Sequence, residues 1–284
     1  MKRLFFLSLI ILLAASLSAD ISYTFTSSTK AETQSGSMSM NGTVYLKEPA
    51  LFRVEFTESD NPMMGTGTFM VSNDGKAIYL VNPQEKTYTR FDAESLSQSL
   101  GSLMQSLGEM VEISIEDVKV NHTRGSNDQT LLGYPCEHHL VNSSYRMKVK
   151  VLFMKQVSDQ KSKKEVWTTQ AIELPIRDLF QESRMKTGFA DLDKLIEAES
   201  RTAVPGFMLK SIITTVSEDK KGKTTTTIQN YDVTSIKTES LADDLFLLPE
   251  GYREVPLIPT MQSDEGNDKE EGGKKKSIFD MFKS

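Results

Sequence analysis

The chain has 284 residues, a formal net charge of −6 and a single cysteine. The acidic balance argues against general binding of nucleic acid or of anionic lipid surfaces, and one cysteine excludes an internal disulfide. The length favours one domain plus tails, and a hydrophobic content of 38% with 25% charged residues suits a soluble globular protein with a long polar tail.

Met1-Lys2-Arg3, the apolar run 4–15 and the small residues Ser16 and Ser18 together form a secretory signal peptide over residues 1–19. The apolar run is too short to span a bilayer. Losing Lys2 and Arg3 takes the net charge from −6 to −8. No cysteine lies near the cleavage site and no later segment is apolar enough to span. The expectation is export to the bacterial periplasm, without lipidation and without integral membrane insertion.

Residues 20–260 read as one domain. Residues 21–26 alternate and open it as a strand. Residues 37–46 continue the pattern with Met38, Met40, Val44 and Leu46, and a turn at 47–50 leads to a strand with Phe52, Val54 and Phe56 on one face. A polar loop over 58–65 ends in Met63-Met64. Strands at 67–72 and 76–81 flank Asn73-Asp74-Gly75, a hairpin signal because that turn needs positive φ. Asn82-Pro83 precedes a strand at 86–91. Asp92 is placed to cap a helix over 93–110, whose Leu96, Leu100, Leu103, Met104 and Leu107 make one apolar face. Gly101 and Gly108 weaken it by about 1 kcal/mol each, so it needs a surface to hold it.

Long strands follow at 111–123 and 137–157. Residues 132–141, with Gly133 and Pro135, read as the crossover between the halves of one curved sheet, and the charged stretch 158–164 as a solvated hairpin tip. A strand over 165–173 carries Trp167. Pro175 starts a helical insertion over 175–203, first with Ile176, Leu179 and Phe180, then with Phe189, Leu192, Leu195 and Ile196; Pro205-Gly206 ends it. Strands at 207–216 and 224–237 make the last hairpin. Residues 241–252 close the domain, and 261–284 read as a disordered charged tail with Ile278, Phe279, Met281 and Phe282 grouped near its end.

Cys136, His138 and His139 are the chemically suggestive cluster. Neighbouring residues on a strand point to opposite faces, and no second cysteine or acidic cluster accompanies them. Gly65-x-Gly67 does not open a helix after a strand, so it is no phosphate loop. The sequence therefore offers no catalytic residue, no metal site and no cofactor, and the reading is of a protein that is not an enzyme. The 14 methionines suit surfaces that fit several apolar shapes, although core packing accounts for any one of them.

Gly42-Thr43-Val44-Tyr45-Leu46-Lys47-Glu48-Pro49-Ala50-Leu51-Phe52-Arg53, the hairpin from Val71 to Pro83 and the ending Leu245-Phe246-Leu247-Leu248-Pro249-Glu250-Gly251-Tyr252 resemble the periplasmic lipoprotein carriers of the LolA/LolB type. Gly133-Tyr134-x-Cys136, Val166-Trp167 and Pro205-Gly206-Phe207 resemble an exported branch of the same superfamily. The resemblance implies an α+β fold: a half-open, curved antiparallel β-barrel with helices across its concave face and an apolar cavity for acyl chains, as in outer-membrane lipoprotein sorting. Glu48 stands where the family has an arginine that latches the helical lid by donating to backbone carbonyls.

On this reading the chain is a binding protein for a lipid, an acylated protein or another apolar ligand. The candidate cavity residues are Phe52, Val54, Phe56, Met64, Phe69, Ile78, Leu100, Leu103, Met104, Leu107, Trp167, Leu179 and Phe180, with Glu48 at the latch position. The alternative is an envelope interaction or sensor module on the same fold, with a filled core and a partner docked by the sheet edge or the C-terminal tail.

Overall fold

The structure, a computed structural model, describes residues 20–32, 37–61, 64–73, 77–91, 111–151, 154–172 and 190–256. The expected signal peptide, the Asp74-Gly75 turn, the helix over 93–110, the helix starting at Pro175 and the tail over 261–284 lie outside the described residues.

Six strands form a meander: β1 (Asp20–Ala31), β2 (Ser37–Lys47), β3 (Leu51–Ser59), β4 (Phe69–Ser72), β5 (Ile78–Asn82) and β6 (Thr87–Phe91). The second half holds β7 (Val111–Arg124), β8 (Gln129–Leu131), β9 (Tyr134–Val151), β10 (Met154–Thr169), α1 (Ala190–Ser200), β11 (Phe207–Asp219), β12 (Thr224–Glu239) and β13 (Arg253–Glu254). All the strands join one curved sheet of order β13-β6-β5-β4-β3-β2-β1-β12-β11-β10-β9-β7, with β8 paired to β9. Every pairing is antiparallel except β13 on β6. The end strands β13 and β7 do not meet, so the sheet stays open.

Two sequence expectations are corrected. Residues 158–164 are not a hairpin tip; they run through the middle of β10, and the chain turns between Val151 and Met154. Their charges are compatible with a strand because they are paired within the sheet: Arg146 on β9 grips Asp159 through Nε and an Nη at 2.7 and 3.1 Å, and Lys163 pairs with Glu165 two residues on in β10 itself. Such same-face charge pairs support a sheet. Residues 132–141 are not the crossover between halves. Leu132 and Gly133 both have positive φ, the geometry of a two-residue hairpin turn, and they join β8 to β9. The halves are linked elsewhere: the chain leaves β6, next to the end strand β13, at Phe91 and re-enters at the opposite end of the sheet at Val111.

Strand alternation sorts the core. Phe25, Val44, Leu46, Phe52 and Phe56 form one buried cluster. Ile21, Cys136, Trp167, Ile172, Phe207, Leu209 and Val233 form a second. Tyr23 and Tyr231 pack against both and make them continuous. The rings of Phe25 and Tyr231 stack across the β1–β12 seam with centroids 5.5 Å apart. Gly42 permits this: a Cβ there would stand 2.8 Å from the Phe25 ring and 2.4 Å from the Glu55 carbonyl oxygen. A third cluster, Phe69, Val71, Val81, Leu241 and Phe246, covers the other face of β4 and β5. Lys47 Nζ donates to the Leu241 carbonyl and bridges to Asp243, while Arg53 donates to the Leu245 carbonyl at 3.1 Å. These cations pin the C-terminal segment across that outer face.

Candidate functional site

Phe52, Val54, Phe56, Met64 and Ile78 come together in one cluster on a single face. Trp167 joins the adjoining cluster across Tyr23 and Tyr231. Phe69 does not join them. It pairs with Glu55 across β3–β4, which sets it on the face opposite Phe52, and the Arg53 guanidinium lies 3.7 Å over its ring. Leu100, Leu103, Met104, Leu107, Leu179 and Phe180 lie outside the described residues. Glu48 is exposed in the turn between β2 and β3. Donation to backbone carbonyls is made instead by its neighbour Lys47 and by Arg53.

The structure adds a cavity of about 390 Å³ at the end of α1. Its floor is the sheet: Val141 and Ser143 of β9, Ser162, Lys164, Val166 and Thr168 of β10. Met208 and Ile213 of β11 continue the floor, and Glu199, Thr202, Ala203 and Val204 close over it. α1 is seated by its acidic first turn, a favourable place for negative charge: Asp191 accepts the Ile115 backbone N–H of edge strand β7 at 3.4 Å and pairs with Lys194. Leu195 is its buried residue, and Ile196 is exposed. The cavity mixes chemistries. Valine, methionine and isoleucine carbons stand beside Ser143, Ser162 and Thr168, and the Thr168 hydroxyl is fully buried with no hydrogen-bond partner among the described residues.

The histidines lie next to this floor. His138 and His139 point to opposite faces, as alternation requires. His138 stacks on Trp167 with centroids 4.6 Å apart, and Trp167 Nε1 donates to the Asn127 carbonyl at 2.8 Å. A Cβ on Gly125 would lie 2.1 Å from the His138 Nδ1, so only glycine fits beside that ring. His139 meets His122 of β7, nitrogen to nitrogen at 3.0 Å. Burial, then the charges of His122 and Arg124, hold the His139 imidazole below its usual range, against the pull of Glu137. Among the described residues no group of three His, Cys, Asp or Glu side chains is placed to hold a metal ion. Cys136 is buried, and burial pushes its thiol up from its ordinary value. That is the reverse of the lowered value a thiolate nucleophile needs.

The family model described as "Domain of unknown function (DUF4412)" matches residues 25–252. The chain belongs to the DUF4412 family. Among curated proteins no sequence matches it. Similar solved structures include a LolA superfamily protein from Nitrosomonas europaea, at 13% identity and a TM-score of 0.29, covering 81% of this chain and 90% of that one. A "putative outer membrane lipoprotein-sorting protein domain" from Vibrio parahaemolyticus matches at 13% identity and TM-score 0.28, over 80% of this chain and 89% of that one. A DUF1329 family protein from Desulfovibrio piger matches at 10% identity and TM-score 0.28, over 82% and 91%.

Sequence reasoning missed Lys164 and Thr168. With 158–164 read as a loop tip, Lys164 had no face to belong to. Once β10 is a continuous strand, residues 162, 164, 166 and 168 fall on one side by simple alternation.

Proposed function

We propose that this DUF4412 chain is an exported, non-enzymatic periplasmic binding protein that carries a lipid, a protein-bound acyl chain or another apolar ligand. The observation that carries the reading is the cavity beneath α1, with Val141, Val166, Val204, Met208 and Ile213 in its walls. About 390 Å³ falls within the usual range of small-molecule sites, roughly 300–1,000 Å³. Each acyl methylene buried there is worth about 0.8 kcal/mol. No helix among the described residues is long and apolar enough to cross a membrane, which is compatible with a carrier that is not integral to the bilayer. Native mass spectrometry of the protein purified from the periplasm should show co-purifying lipid, and delipidated protein should take up a fluorescent fatty acid. Lipid-free protein that takes up no probe would sink the proposal.

A second reading, an envelope interaction module with a filled core, is favoured by one observation. Phe52 and Phe56 are already buried within their cluster. In that case deleting residues 262–284 abolishes capture of a partner and leaves fatty-acid uptake, where present, unchanged.

A further inference from the structure

The cavity beneath α1 is lined by one lysine, Lys164, and the geometry points to a single-chain amphiphile with a small anionic head, such as a carboxylate, bound with its head at Lys164 and its alkyl chain along the wall. This rests on the apolar-carrier reading and specifies what that carrier selects.

Lys164 lies on β10 between Val141 of β9 and Ile213 of β11. Its stem is therefore flanked by carbon, which suits a long side chain that packs its methylenes and extends its charge. The adjacent Lys163 is paired with Glu165 on the opposite side of the strand, and no ion pair forms at Lys164 among the described residues. Four residues along the same strand face, the Thr168 hydroxyl has no hydrogen-bond partner among the described residues, though the residue is only 1% exposed. Thr168 lines the cavity, but its hydroxyl is itself fully buried and four residues of strand, about 13 Å, separate it from Lys164, so the head group is left to the lysine. A cation on an apolar wall, with Thr168 at its far end, suits a carboxylate held at Lys164 by the charge-assisted bonding that makes such contacts strong. Val166 lies between them, with Met208 beyond, to meet the alkyl chain. The acidic residue of the wall, Glu199, sits at the mouth on α1. It is exposed, and its charge acts on Tyr145; it opposes an anion, so its removal should favour one.

The test is calorimetric titration of the mature full-length chain at pH 8 with decanoate and, separately, with decan-1-ol, which has the same chain without the charge. The wild type should bind decanoate about tenfold more tightly, a difference of about 1.4 kcal/mol. Lys164→Met should remove that preference and leave decanol binding within twofold. Thr168→Val should leave the preference unchanged, and Glu199→Gln should increase it. Equal affinity of the wild type for both ligands, or a preference that survives in Lys164→Met, overturns the anionic-head proposal and leaves the apolar carrier standing. Binding of neither ligand overturns both.

Discussion

Ser72 and Thr168 present the same group in two settings. Each hydroxyl is buried and lacks a hydrogen-bond partner among the described residues, but Thr168 borders a cavity, whereas Ser72 sits on β4 opposite Phe52. Removing an unsatisfied hydroxyl without opening much space is neutral or stabilising. Ser72→Ala should therefore raise the unfolding free energy by about 1 kcal/mol, seen as a higher urea midpoint at unchanged slope, with ligand binding untouched. A lowered midpoint would mean that the hydroxyl has a partner in solution. His139 makes a separate prediction. Its folded pKa is depressed by burial and by His122 and Arg124, while the unfolded chain titrates near 6.5. Between those values the unfolded state binds more protons, so stability rises with pH. The stabilisation is complete above about pH 6.5 and is lost as the pH falls toward the folded value. Urea midpoints taken from pH 8 to pH 5 should decline, and His139→Gln should flatten the slope. A variant with the same slope as the wild type would assign the decline to other groups.

At the level of elements, Gly42 ties a strand irregularity to the core. β2 and β3 shift register between Asn41 and Gly42, and Gly42 stands opposite Phe25 in the β1–β2 ladder, against its ring. A methyl at this position would come within 2.4 Å of the Glu55 carbonyl oxygen, a backbone atom that cannot swing aside. Gly42→Ala should cost about 1–3 kcal/mol, the usual range for overpacking a core, while the same change at Gly65, where a Cβ meets nothing within 4 Å, should cost far less. Comparable losses at both positions in thermal unfolding would show that the close approach relaxes cheaply. The strands themselves were legible in the sequence because most carry period-two apolar patterns: Phe52, Val54 and Phe56 do lie on one face. β10 was not, because its middle is charged and its alternation is between polar residues of different size; Asp159 finds its partner Arg146 on β9, which no local pattern reveals. The same limit hid Lys164 and Thr168, and it placed Phe69 with Phe52, since sequence gives each strand's two faces but not which face of the next strand continues them.

For the whole molecule, the order of the strands matters more than any one of them. β1 is first in the chain but central in the sheet, between β2 and β12, and Asp20 pairs with Glu239. The central pairing therefore closes only after most of the chain has been made, a long-range topology of the kind that folds slowly. The same arrangement holds the two halves together without their covalent link. Between Phe91 and Val111 the chain passes from β6, next to the end strand β13, to the opposite end of the sheet, so β1–β6 and β7–β13 are joined covalently only through residues 92–110. Non-covalently they share the β1–β12 ladder along its full length, the packing of Ile21 with Trp167, Leu209 and Val233, and the outer cluster in which Leu241 and Phe246 cover Phe69, Val71 and Val81. Lys47 and Arg53 add donors from the first half to the carbonyls of Leu241 and Leu245 in the second. A protease site inserted between residues 92 and 110 and then cut should leave a nicked protein that elutes at the volume of the intact chain, with its fragments separating only in denaturant. Two separate peaks in native buffer would mean that the ladder and the clamped C-terminal segment cannot hold the halves together, and that the covalent link is needed to keep β1 in the centre of the sheet.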